Sequence, residues 1–369
     1  MVLAANGRVA LQKKPLFTIL ADIQIDTPVG VLQRPIAKQQ GKRHIMQEQT
    51  YIYSQLSSHS VGSIVALNYD LPAPVRCQFY VLGLHDNYLI ECEAGKFIFR
   101  IYRNDWRSLQ EVNFELELLS HLSDRGAGVA APLRTRTGEL SLCLDSPEGN
   151  RAAALFHYAD GLAPGKAISL AEGELLGHAV ATVHQLTETF TSSWTRPVLD
   201  IRYLVDDSII AIAPFIDAEA RRYLTTLQEK LHAVLPGLSR EAGVYGICHG
   251  DINLSNFHIN DNRQITLFDF DQCGFGYRAF EIGKFVSSIH GLKTRHEVAA
   301  AFIKGYEQVR RLNSAEVDMI PYFEMASIIW VMAIHAQNAD RIGHKLLQRP
   351  FWDRRLEILQ RLAEGLYNN

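Results

Sequence analysis

Cysteine is scarce in this chain, and its acids and bases nearly cancel. The five cysteines (Cys77, Cys92, Cys143, Cys248 and Cys273) are scattered, odd in number and without a Cys-x-x-Cys pair. A disulfide framework or a structural zinc site is therefore not expected, and reduced thiols in a cytoplasmic protein are. Thirty-seven basic against forty acidic side chains leave a net charge of -3, which gives no electrostatic case for nucleic acid or an anionic membrane as partner. The N-terminus lacks a basic start followed by an unbroken apolar stretch, so no secretory signal is expected. The most apolar late segment, Met325–Ala336, is broken by Ser327 and His335. It reads as a buried helix too short to span a bilayer. No internal repeat or low-complexity tract stands out. What is present is an ordinary globular composition, 47% hydrophobic and 21% charged over 369 residues, enough for two packed units with full cores.

Residues 1–50 are mixed in character, with an apolar patch at Leu16–Leu20, an alternating Ile23/Ile25 and the polar run Lys38–His44. They are expected to form an extension or one or two extra strands. From about Gln78 the pattern becomes strand-like: Phe79 and Val81, a small loop at Gly83–Asn87, then Tyr88–Cys92. Phe97, Phe99 and Ile101 alternate on one face with Lys96 and Arg100 on the other. Phe114, Leu118, Leu119 and Leu122 form one helical stripe, and two further strands are expected at Leu140–Leu144 and Ala152–Tyr158. After Gly161 helices dominate. Ser169 and Glu172 have capping-box spacing, and Asp217 caps a helix carrying Leu224, Leu227 and Leu231. A short hairpin, Phe257–Ile259 and Ile265–Phe270, interrupts them. The fold class expected is α+β, a small antiparallel β lobe (residues 51–158) followed by a larger, mainly helical lobe (159–369).

The chemistry concentrates in His249-Gly250-Asp251-Ile252-Asn253-Leu254-Ser255-Asn256 and, thirteen residues after Asn256, in Asp269-Phe270-Asp271. A loop with Asp251 and Asn256 five apart can aim both side chains into one cleft. A carboxylate at the end of an apolar strand faces a cavity, a cation or a helix end, because burying it unpaired is costly. Alone, His-Gly-Asp is only a turn. The ordered pair, His-x-Asp-x4-Asn followed by an aspartate at a hairpin end, has the spacing of kinase catalytic loops. That spacing would make Asp251 the base for an attacking hydroxyl, Asn256 and Asp269 magnesium ligands, Asp271 a helper for a second metal, and His249 an orienting residue.

These motifs, with Gly276–Gly283 after them, resemble the aminoglycoside phosphotransferase/choline kinase superfamily over roughly residues 55–340. The resemblance implies a protein-kinase-like two-lobed fold, ATP and Mg2+ as cofactors, and transfer of a phosphate to an alcohol. It places Arg100 where the family usually has a phosphate-contacting lysine; either Arg100 serves directly, or ATP affinity is altered, or Lys96 or Arg103 compensates. It also implies Glu115 as the cation's helix partner, Gly83–Asn87 as a phosphate-covering loop, and Ala154–Tyr158 as the hinge, with Phe156 and Tyr158 at the adenine. Gly177, Ala181 and His184 match a large-lobe helix ending in a packed histidine, and Glu281 matches an acid supporting the catalytic loop.

For the acceptor, the resemblance implies a pocket between the catalytic loop and the C-terminal helices. Asn253, Ser255 and Tyr277 are the favoured contacts, with Tyr322, Glu324, Trp330, His335, Asn338 and Asp340 as further lining. The segment Phe97–Leu122, above all Arg103-Asn104-Asp105-Trp106, is most similar to type II homoserine kinases and bacterial stress-response kinases. A small-molecule hydroxyl acceptor is therefore expected, acted on by a monomer or homodimer. A protein Ser/Thr kinase and a nucleotide-binding pseudokinase remain the alternatives.

Overall fold

A computed structural model describes residues 51–241 and 243–367; the strands expected near residues 16–25 lie outside them. The small lobe begins with helix α1 (Ser58–Asn68) and the strands β1 (Arg76–Leu82), β2 (Asp86–Cys92) and β3 (Gly95–Ile101). Helix α2 (Leu109–Asp124) follows, then β4 (Pro132–Leu133), β5 (Leu142–Leu144) and β6 (Arg151–His157). All pair antiparallel in the order β1-β2-β3-β6-β4, with β5 also on β6. The alternation read from β3 is what the sheet uses. Phe97, Phe99 and Ile101 join Val61 and Val65 of α1 in one apolar cluster, while Ile98 and Arg100 face a cleft on the other side. Each fully buried valine of α1 contributes on the order of 1.5–3 kcal/mol to that contact. The sequence pattern did not announce α1: its apolar stripe is two valines on an 11-residue helix.

In the large lobe, α3 (Leu170–Leu186) starts at the Ser169–Glu172 capping box. A short α4 (Asp207–Ile212) and then α5 (Ala218–Val234), capped by Asp217, follow. Two small hairpin-like sheets come next. Strand β7 (Tyr245–Cys248) pairs with β10 (Gly274–Tyr277), and β8 (Phe257–Ile259) with β9 (Ile265–Leu267). The remaining helices are α6 (Arg278–Ser288), α7 (Arg295–Glu307), α8 (Ser314–Gln337), α9 (Ala339–Ile342) and α10 (Arg349–Tyr367). Helix α8 is longer than the sequence reading allowed: its 24 residues are long and apolar enough to cross a membrane by length and composition. Met325, Ile329, Trp330 and Met332 are instead buried against the rest of the large lobe.

One apolar core runs through this lobe and takes in Val112, Phe114, Leu118, Leu119 and Leu122 of α2. Helix α2 therefore belongs to the small lobe by sequence and to the large lobe by packing.

Candidate active site

Strand β7 ends at Cys248 and passes directly into the loop His249–Asn256. Gly250 has φ +85°, and a Cβ there would overlap the Gln272 carbonyl oxygen, so only glycine makes this turn without strain. The His249 and Gly250 N–H groups both donate to the buried Glu281 carboxylate of α6. His249 Nδ1 accepts from the Asp251 N–H at 3.2 Å. Its Nε2 therefore carries the proton, donated to the Phe268 carbonyl oxygen at 3.0 Å. His249 thus fixes the distance between the Asp251 loop and the segment entering Asp269. It orients both and is not itself placed to react.

Asp251 is held from three sides. Asn256 Nδ2 donates to its Oδ2 at 2.9 Å, and Asn253 Nδ2 donates to the same oxygen at 3.1 Å. On Oδ1 stands the ammonium of Lys284, from α6, at 2.7 Å. Both hydrogen bonds of the Asn256 side chain run through Nδ2, which leaves its Oδ1 for a ligand.

Asp269 follows β9 in the left-handed backbone region (φ +66°), which turns its carboxylate out of the strand line and into the cleft. Arg100 NH1 pairs with Asp269 Oδ1 at 2.9 Å and lies 3.8 Å from Glu115 Oε1, while Arg100 Nε donates to Asn87 Oδ1 at 3.1 Å. Burial alone would lower the Arg100 pKa, but Asp269 and Glu115 outweigh it and keep the guanidinium charged. Glu115 is buried, and neither carboxylate oxygen has a hydrogen-bond partner among the described residues. Burial pushes its carboxyl up to about 7, against the pull of Arg196 and Arg100.

Between the sheet and the hairpin lies a cavity of about 260 Å³. Its walls bring together Arg100, Glu115, Phe156, Tyr158, Ser255 and Asp269, with Val81, Ile98, Leu119 and Phe268 supplying apolar surface. The Asp269 carboxylate in its wall is a hard oxygen ligand of the kind magnesium takes, and so is the amide oxygen of Asn256, next in the chain to the lining residue Ser255.

Several sequence expectations are corrected by the geometry. Asp271 is not free for a second metal. Trp106 Nε1 and Gln272 Nε2 each donate to its Oδ2 at 2.8 Å, and Arg107 Nε (3.2 Å) and His85 Nε2 (3.0 Å) occupy Oδ1. Burial opposes its ionisation, yet Arg107 and His85 hold its carboxyl well below the usual range. Tyr277 sits at the far end of β10 from the catalytic loop. Its hydroxyl donates to the Leu238 carbonyl oxygen, and it lines a separate cavity of about 350 Å³ with Leu204 and Phe323.

The Gly83–Asn87 loop is only three residues, since β2 already begins at Asp86. Neither Gly83 nor Asn87 lines the cleft; Asn87 acts by steering Arg100. Asn253 spends Nδ2 on Asp251 and Oδ1 on the Ser255 N–H and hydroxyl, so it shapes the loop. Ser255 lies on the cavity side shared with Tyr158 and His258. Lys96 pairs loosely with Glu91 and Arg103 donates to Asn338, so neither substitutes at Arg100. Glu324 is bound by Arg295 and His290, and Trp330 packs on Phe280.

Three contributors escaped the sequence reading. Lys284 is the first, and its signal was a lone lysine among the apolar residues Phe280, Ile282, Phe285 and Val286. His85 and Arg107 are the others, visible only once the fold brings them to Asp271.

A two-lobed α+β enzyme with a cleft of this composition is a phosphotransferase of the protein-kinase-like class. Residues 81–316 match the phosphotransferase enzyme family, and the chain belongs to that family. It is 38% identical over 314 residues to an uncharacterized protein of Synechocystis sp., covering 85% of this chain and 87% of that one. It is 28% identical to a homoserine kinase of Methylobacterium radiotolerans, covering 72% and 78% of the two chains. In three dimensions it is similar to an amicoumacin kinase in complex with AMP-PNP, Ca2+ and Ami, with a TM-score of 0.69 at 20% identity over 84% of this chain and 93% of that one.

Proposed function

We propose that this chain is a cytoplasmic kinase that moves the γ-phosphate of ATP, with magnesium, to a hydroxyl of a small metabolite, using Asp251 as the base. The observation that carries the reading is that Asn256 holds Asp251 on a loop tied, through His249 and the Asn256 carbonyl, to Phe268, the residue before Asp269, whose carboxylate lines the apolar cleft beside Arg100. Phe156 and Tyr158 offer the adenine its apolar walls, and the phosphates would lie toward Arg100. There the guanidinium, now on Asp269, can exchange or share that carboxylate for phosphate oxygens, a geometry its planar fork suits. Asn256 Oδ1 and Asp269 would hold the magnesium, whose contribution is to neutralise phosphate charge. Glu281, through the His249 and Gly250 N–H groups, fixes the loop so that Asp251 faces the acceptor hydroxyl.

A small acceptor is supported by relatives named for homoserine and amicoumacin. A peptide acceptor is disfavoured because residues 272–280 run straight through β10 into the buried start of α6, with no extended segment to dock it. The five free thiols fit a reducing compartment. The test is incubation with Mg-ATP and a metabolite panel, read by a mass shift of +80 on the acceptor and release of ADP. Asp251→Asn should cut transfer by on the order of 10²-fold or more while AMP-PNP binding stays within about threefold. Unchanged transfer in that variant would remove Asp251 from the mechanism, and a protein that binds no Mg-nucleotide is not a kinase.

A further inference from the structure

Lys284 occupies a place where a lysine is expensive. From Arg278 to Val286 every residue of α6 is buried, and the Lys284 side chain is 4% exposed. A charge is kept in such a place only with a partner. Among the described residues the one carboxylate it pairs with is Asp251, at 2.7 Å from Oδ1. An ammonium has three donors, and this pairing spends one.

The filling of the Asp251 carboxylate decides where the acceptor sits. Oδ2 already accepts from two amides, Asn256 and Asn253, and a carboxylate oxygen has about two acceptor directions. Among the described residues Oδ1 carries Lys284 alone, which leaves one direction. The acceptor hydroxyl must therefore donate to Oδ1, beside the ammonium. Two groups bonded to the same oxygen stand about 4–5 Å apart, so the Lys284 ammonium reaches an oxygen of the phosphoryl group that this hydroxyl attacks.

We propose that Lys284 is a catalytic residue that contacts the γ-phosphoryl group of ATP while anchored on Asp251 Oδ1. The inference rests on the phosphotransferase reading above. In the step, the acceptor oxygen forms its bond to phosphorus as the bond between phosphorus and the β–γ bridging oxygen breaks. The hydroxyl proton passes to Asp251 Oδ1, and ADP leaves with the electron pair. Lys284 keeps its protons throughout and supplies positive charge to the transferring oxygens, where preorganised charge is most effective. Its aliphatic stem, packed in α6, holds the ammonium in place before any nucleotide arrives. The sequence supplies no cation inside the loop His249–Asn256 itself, so this helix provides it.

The test uses the full chain and needs no acceptor. Affinities for Mg-AMP-PNP and Mg-ADP are measured by calorimetry for the wild type, Lys284→Met and Lys284→Arg. Loss of a charge-assisted contact to the terminal phosphate should weaken AMP-PNP about tenfold in the methionine variant and leave ADP within about twofold. Arginine should restore most of the difference. Lys284→Gln replaces the methionine variant if thermal melting shows that the latter does not fold. Equal losses for the two nucleotides, or none for either, would make Lys284 a structural counter-ion of Asp251 and overturn the inference. A wild type that binds neither nucleotide sinks the phosphotransferase reading first and this inference with it.

Discussion

Glu115 is the residue whose environment is most at odds with its chemistry. It is a carboxylate in a fully buried helix position, with neither oxygen hydrogen-bonded among the described residues and Arg100 at 3.8 Å. Its ordinary value is 4.5, and burial lifts it to about 7. Between those values the folded protein keeps a proton that the unfolded chain has released. Stability therefore falls as pH rises through that window and levels off above it. The slope is up to about 1.4 kcal/mol per pH unit. Glu115→Gln removes the titration, so the wild type should lose stability relative to the variant between pH 5 and 7 in urea denaturation. Parallel curves across that range would show that Glu115 is ionised throughout. At this scale the sequence was informative wherever a residue's role depends on its near neighbours. Asp251, Asn256 and Asp269 share one short stretch of chain, and their spacing carried them. Lys284 meets Asp251 only because α6 lies behind the loop, and His85 meets Asp271 only across the lobes. Those pairings depend on tertiary packing, which no local spacing encodes.

At the scale of elements, caps and stripes were legible and glycine-rich strands were not. Ser169 and Glu172 form the reciprocal cap their spacing announced, and Ser108 with Glu111 forms another at the start of α2. Strand β10, Gly274-Phe275-Gly276-Tyr277, has two glycines that weaken any strand signal. It forms because β7 needs a partner and because Leu199 packs against Gly276, where a side chain would stand. The crossing of α3 on α7 is set the same way. A Cβ on Gly177 would overlap the Phe302 carbonyl oxygen, so the two helices approach as closely as backbone allows. Gly177→Ala must push them apart and should cost about 1–3 kcal/mol or more. His178→Ala, one residue on and exposed, should be within about 0.5 kcal/mol of wild type. Equilibrium urea unfolding of both variants checks the contrast, and equal stabilities would mean that the crossing is loose.

For the whole molecule the question is whether the two lobes are separate bodies. The division expected at residues 158/159 follows the order of elements along the chain and does not follow the packing. Helix α2 gives Phe114, Leu118, Leu119 and Leu122 to the core that also contains Phe257, Leu267 and Phe280. Polar ties repeat the connection: Arg341 of α9 donates to the Leu84 carbonyl oxygen at 2.7 Å and pairs with Asp86 at 3.3 Å, and Arg107 holds Asp271. Fully burying four such side chains is worth on the order of 6–12 kcal/mol, comparable to the whole stability of a typical domain. The large lobe cannot lose that surface to water and stay folded. We therefore expect one unfolding transition for residues 51–369, coincident by far-UV circular dichroism and tryptophan fluorescence, because Trp106, between β3 and α2, bonds across to Asp271 and Trp194, Trp330 and Trp352 lie in the large lobe. Residues 159–369 expressed alone should show no cooperative transition. Two separated transitions in the longer chain, or a cooperative transition in the shorter one, would make α2 a movable clamp on an independent large lobe. The cleft would then have to form anew each time nucleotide bound.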